Sequence, residues 1–213
     1  MYPGALLAQE VCSYEASTQI LAGLRGDLAV IIHSDRDCSN VLPKTNDAIR
    51  AERDYKFFCT NLREDELVTG QGNAKLRRAI ELVWEAYHPR LIIALSTCPT
   101  VMIGDNLKNV ARKAGRDLGA TVVAEVTHGL KPKSPAEVVD TVYSLLCRGA
   151  APPPPGLDLD RRVNLVGMSL LPDERREIEE TLGAMGLSVN AVLNDESHLD
   201  DFLAVAGARW NVH

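Results

Sequence analysis

Three apolar runs constrain the fold more than any other feature of the chain. Residues 27–33, 90–96 and 120–126 are strand-length stretches rich in Val, Ile, Leu and Ala, with polar residues mostly at their edges. A strand with one wet face alternates polar and apolar residues. A strand without that alternation is covered on both faces, as in a parallel sheet between two helix layers. A shorter run at 55–59 is a fourth candidate strand. Helical periodicity fills the intervals: Leu76, Ile80, Val83, Trp84 and Tyr87 recur at three- and four-residue steps within 73–87. Residues 105–118 and 136–146 behave similarly, the latter opened by Pro135 near its first turn. The expected fold is α/β, a Rossmann-like parallel sheet domain occupying residues 1–148.

Residues 149–160 break the rhythm. Four consecutive prolines, Pro152 to Pro155, favour an extended segment that joins neither helix nor sheet. The α/β pattern then resumes across 161–213, with strands expected at 163–168 and 187–193, a helix at 172–185, a second helix at 197–205 and a last strand at 208–213. That is too few elements for a full doubly wound domain, so 161–213 reads as part of a second Rossmann-like domain and the chain as a partial subunit.

Composition narrows the function classes. The 213 residues are 46% hydrophobic and 24% charged, with 23 Lys and Arg against 29 Asp and Glu, for a net charge of −6. No basic block invites nucleic acid, and no run approaches the ~20 apolar residues of a membrane span. There is no phosphate-binding G-x-x-x-x-G-K-[ST] loop, so ATP hydrolysis is not expected of this chain. A cytoplasmic protein with no nucleic-acid or membrane partner is the expectation.

The five cysteines, Cys12, Cys38, Cys59, Cys98 and Cys147, are an odd number with no CxxC pair. That argues against a disulfide framework and a zinc ribbon. Cys38 and Cys98 each follow an expected strand, where open parallel sheets gather their functional groups. Both also lie near expected helix starts, whose N–H groups favour a thiolate. Cys12 sits in an N-terminal segment able to fold over the same edge. Three thiolates converging there suit an iron–sulfur cluster; three buried structural thiols is the competing interpretation. A four-iron cluster takes four ligands, so Cys59 or another chain would supply the last one.

At this point the residues resemble a known family. Val-Cys-Ser-Tyr at 11–14, Ile-Ile-His-Ser-Asp-Arg-Asp-Cys-Ser at 31–39 and Cys-Thr-Asn-Leu-Arg-Glu-Asp-Glu-Leu-Val-Thr-Gly at 59–70 resemble nitrogenase component 1 type subunits. The most specific piece is Ser-Thr-Cys-Pro-Thr-Val-Met-Ile-Gly-Asp-Asn-Leu at 96–107, which is similar to that family's Cys-Pro…Ile-Gly-Asp-Asp signature. The steps of 26 residues from Cys12 to Cys38 and 60 from Cys38 to Cys98 fit its three-cysteine pattern. Residues 185–190 and 209–213 extend the resemblance past the prolines. The family includes nitrogenase MoFe subunits and dark-operative protochlorophyllide reductase.

The resemblance implies that Cys12, Cys38 and Cys98 ligate a cluster, [4Fe–4S] or P-cluster-like, shared with a homologous or identical subunit. It also implies an ATP-dependent iron protein that delivers electrons to a reductase acting as an oligomer. The alternative within the same superfamily is a non-catalytic scaffold or cofactor-assembly paralogue. Other residues carry weaker signals. His33 is placed either to bond a cluster sulfur or to be satisfied in the core. His128 either lines a pocket or turns a loop at Gly129. Gly70-Gln71-Gly72-Asn73 reads as a glycine turn capped by Asn73, with an anion cradle as the alternative. Cys147 reads as packing. Asp35, Arg36 and Asp37 crowd the approach to Cys38.

Overall fold

The computed structural model describes residues 10–39, 55–167, 171–194 and 197–213. Helix α1 (Ser13–Gly23) leads to β1 (Leu28–His33), the one-turn helix α2 (Arg36–Ser39), β2 (Tyr55–Cys59), the short α3 (Glu64–Val68) and the long α4 (Gly72–Tyr87). There follow β3 (Leu91–Ser96), α5 (Cys98–Met102), α6 (Leu107–Leu118), β4 (Val122–Glu125) and α7 (Pro135–Cys147). These four strands form one sheet in the order β2-β1-β3-β4, parallel at every pairing.

Two of the three apolar runs have the burial they predict; the third, at the sheet edge, is buried only at Val123 and Ala124, and Val126 beyond β4 is exposed. Every residue of β1 and β3 is buried. Alternate residues serve opposite layers: Leu28, Val30, Ile32, Leu91, Ile93 and Leu95 pack under α1 and α7, whereas Ala29, Ile31, Ile92 and Ala94 pack under α4 and α6. This is a Rossmann-like arrangement, and it exposes the carboxyl ends of the strands along one edge.

Residues 149–158 pass the four prolines without helix or strand, and a short turn of 3-10 helix covers Leu159–Arg161. Then come β5 (Arg162–Val166), α8 (Pro172–Ala184), β6 (Ser188–Leu193), α9 (Leu199–Leu203) and β7 (Trp210–Val212). The second sheet is parallel, ordered β6-β5-β7. The strand expected through residue 168 stops at Val166, and 168–170 lie outside the described residues.

The second sheet is not free of the first. Leu199 and Phe202 of α9 are fully buried in the same apolar cluster as α7, and Phe202 meets the Tyr143 ring edge-on at 5.2 Å. An Arg90–Asp200 ion pair and a bridge between Arg25 and His198 flank that contact.

Candidate functional site at the strand ends

The carboxyl ends of β1, β3 and β4 meet the first turns of α1, α2 and α5. Cys12 is the residue before α1, Cys38 lies in α2, and Cys98 opens α5. The loop after β4 fastens the start of α1. Val11 and Lys133 exchange backbone hydrogen bonds of 2.8 and 3.2 Å, the Ser13 hydroxyl donates to the His128 carbonyl at 2.9 Å, and the His128 N–H donates back to Ser13 Oγ at 3.0 Å.

That loop brings Gly129 against two of the thiols. Its N–H donates to Cys98 Sγ at 3.1 Å. A Cβ at Gly129 would stand 3.4 Å from Cys12 Sγ and 3.7 Å from Cys98 Sγ, so both sulfurs face the small volume that the missing side chain leaves. Burial pushes the Cys38 thiol above the usual range. The Asp35 carboxylate and the Cys98 and Cys12 sulfurs add to that rise, and a hydrogen bond with Ser34 opposes it. The charges of Cys98 and Cys12 are thus felt at Cys38.

Cys38 and Cys98 are each mounted on a first turn for a local reason. Asp35 Oδ1 accepts the Cys38 N–H at 3.3 Å and the Ser34 hydroxyl at 3.1 Å, which makes Asp35 the cap of α2. Thr97 precedes Cys98, and its N–H donates to Thr100 Oγ1 at 3.1 Å; Pro99 then presets the first helical turn. The Thr97 and Thr100 hydroxyls both donate to the His33 carbonyl, at 3.3 and 3.1 Å, tying α5 to the end of β1.

Tyr14, two residues beyond Cys12, was not singled out by sequence and is central here. It is 3% exposed, and its hydroxyl donates to the Cys38 carbonyl at 2.9 Å. Burial and the surrounding sulfurs of Cys38, Cys59 and Cys12 raise its pKa well above the ordinary tyrosine value. The phenol therefore stays a hydrogen-bond donor.

His33 does not face a sulfur. Its Nε2 lies 2.9 Å from Asp105 Oδ2 and its Nδ1 3.2 Å from Thr60 Oγ1, so both ring nitrogens are taken. Burial holds its pKa below the ordinary value, with the Asp105 hydrogen bond and charge opposing. Asp105 in turn settles the glycine turn before α4. A Cβ on Gly72 would collide with Asp105 Oδ2 and stand 2.7 Å from Asp105 Cγ, so the carboxylate rests on bare backbone where α4 begins. Asn73 is not the cap expected from sequence: its Oδ1 accepts the Asn106 N–H at 2.9 Å, while Gln71 is the residue before the helix.

Cys59 borders the same region. Its Sγ accepts the Asn61 N–H at 3.2 Å and points towards the carbonyls of Ser34 and Asp35 at 3.9 and 3.8 Å. His128 turns its loop, with Nδ1 accepting the Lys131 N–H at 3.3 Å. Cys147 packs against the core at the end of α7.

The donor set at the strand ends is of thiols, the soft ligand type that iron–sulfur groups take. Among the described residues, no three His, Cys, Asp or Glu side chains are grouped closely enough to hold one metal ion. A cluster of several irons takes each thiolate on a different iron, so its ligands stand farther apart.

Comparison with known proteins follows the same line. The family model described as nitrogenase component 1 type oxidoreductase matches residues 12–213. The nitrogenase molybdenum-iron protein alpha chain of Clostridium pasteurianum is 25% identical over 92% of this chain and 38% of its own length. The Mesorhizobium japonicum nitrogenase iron-molybdenum cofactor biosynthesis protein NifE is 26% identical over 93% of this chain and 40% of its own length. The solved structure of nitrogenase Cp1 at pH 6.5 superposes with a TM-score of 0.70 at 22% identity, covering 99% of this chain and 42% of that one. The chain spans less than half the length of these relatives. Among the described residues, no helix is long and apolar enough to cross a membrane.

Proposed function

The chain belongs to the nitrogenase component 1 type oxidoreductase family, and on that premise we propose that it is the cluster-binding part of a nitrogenase-like reductase subunit. Cys12, Cys38 and Cys98 hold an iron–sulfur cluster that is completed by a homologous or identical subunit. The observation carrying this reading is the approach of two thiols from separate chain segments, Cys12 and Cys98, to the space left by Gly129, with Cys38 on the turn that Asp35 and Tyr14 hold beside the start of α1. A bound cluster supplies one-electron storage. The protein supplies the thiolates, the Gly129 N–H aimed at Cys98 Sγ, and an apolar wall that limits water. Cys59, whose Sγ lies beside the Ser34 and Asp35 carbonyls next to α2, is the candidate for an additional ligand. Met102, Ile103 and Leu130 are exposed beside α5 and the Gly129 loop, which supports a second subunit covering the site. Electrons would come from an ATP-dependent iron protein.

The NifE relatives favour a second reading, in which the same thiols hold a cluster on a non-catalytic scaffold. One experiment separates the two. The full chain, coexpressed with its partner subunit, is loaded anaerobically and mixed with the iron protein and MgATP. Cluster reduction that requires MgATP supports the relay; a stable cluster that the iron protein never reduces supports the scaffold.

A further inference from the structure

Helix α2 is a single turn, and a single turn does not hold itself. Among the described residues, the main chain of Cys38 is held at both ends by side chains: its N–H by Asp35 and its carbonyl by the Tyr14 hydroxyl. Asp35 is local to the turn. Tyr14 arrives from α1, 24 residues away, within two positions of Cys12. Its ring lies in the apolar cluster against which Cys12, Cys38 and Cys59 pack.

We propose that Tyr14 is a positioning residue that clamps the Cys38 turn to the start of α1, fixing the spacing of the Cys12 and Cys38 thiols and closing the space between them to water. The purpose of the clamp rests on the cluster reading; its geometry does not. A tyrosine serving only as core filler would be replaced by phenylalanine at little cost, since the ring fills the same volume. A clamp depends on the hydroxyl alone.

The test is Tyr14→Phe in the full chain, read in two ways. In the metal-free protein, maleimide labelling is followed residue by residue by peptide mass spectrometry. Loss of the clamp should speed labelling of Cys38 about fivefold, the share of one neutral hydrogen bond, and leave Cys147 unchanged. In the iron-loaded protein, water entering the loosened site should move the midpoint potential upward, with iron content retained. Cys38 labelling within twofold of wild type overturns the clamp, whether or not iron binds. Absence of iron from the wild type overturns the cluster reading instead and leaves the labelling result to decide Tyr14.

Discussion

The two sheets bury polar side chains for different ends. At the edge of the first, the buried Thr60, Thr97 and Thr100 hydroxyls bond to backbone at strand ends and helix starts, and beside them lie thiols facing an open volume. In the second, Asn164 is 1% exposed and spends its amide on neighbouring strands. Its Nδ2 donates to Asn211 Oδ1 at 2.9 Å and to the Val205 carbonyl at 3.0 Å, and its Oδ1 accepts from Asn190 Nδ2 at 2.8 Å. Asn190 reaches it because the β5–β6 register skips one residue there, a bulge that turns the amide inward. One region is a closed ladder that fixes register; the other is a scaffold whose products point outward. Buried polarity alone therefore does not mark a functional site. Thiols left facing space are what single out the first region as the candidate site.

The contrast can be broken at either region. The largest effect is expected at Asn164→Ala, which strands partners on two strands and a turn. With each unmet buried group costing about 1–3 kcal/mol, urea unfolding should show a loss of about 3 kcal/mol. A loss under 1 kcal/mol would mean that water replaces the ladder. Next is Gly72→Ala, where a methyl enters the space of the Asp105 carboxylate; overpacking of this kind costs about 2 kcal/mol. Adding Asp105→Ala should recover part of that loss, and strict additivity would show that the two residues do not share the space.

At the outward-facing region the expected pattern inverts. Gly129→Val lies on an exposed loop, so stability should change by no more than about 0.5 kcal/mol. Iron retention should nonetheless fall, because the new side chain fills the volume between Cys12 and Cys98. Unchanged iron would show that the volume is not the cluster site. The smallest effect concerns pH. His33 is held below its ordinary pKa, so the unfolded chain binds a proton near pH 6.5 that the folded chain does not. Stability should decline as pH falls through that value, and His33→Gln should flatten the decline over the same window.

How far the sequence discloses this follows from which side chains carry each element. The runs at 27–33 and 90–96 show their double burial directly, because β1 and β3 are apolar throughout. Helix α1 is hidden. Its buried residues Ser13, Tyr14, Ser17, Thr18, Leu21 and Ala22 keep helical spacing, yet half of them are Ser or Thr, which hydrophobic periodicity does not register. The one-turn helices α2 and α5 are shorter than any window in which periodicity appears. In the site, the cysteines are legible because strand ends are legible. The His33–Asp105 and Tyr14–Cys38 contacts are not, since they join residues 72 and 24 positions apart through the fold. Gly129 reads in sequence as a loop turn; only its place against two sulfurs gives it another meaning.

The most direct measurement is iron and acid-labile sulfide per chain after anaerobic loading with the partner subunit present, for wild type, Cys38→Ala and Cys147→Ala. Iron and sulfide in the wild type and in Cys147→Ala, both lost in Cys38→Ala, is the expected result. Equal iron in all three proteins, or none in the wild type, would contradict a cluster held by the thiols at the strand ends.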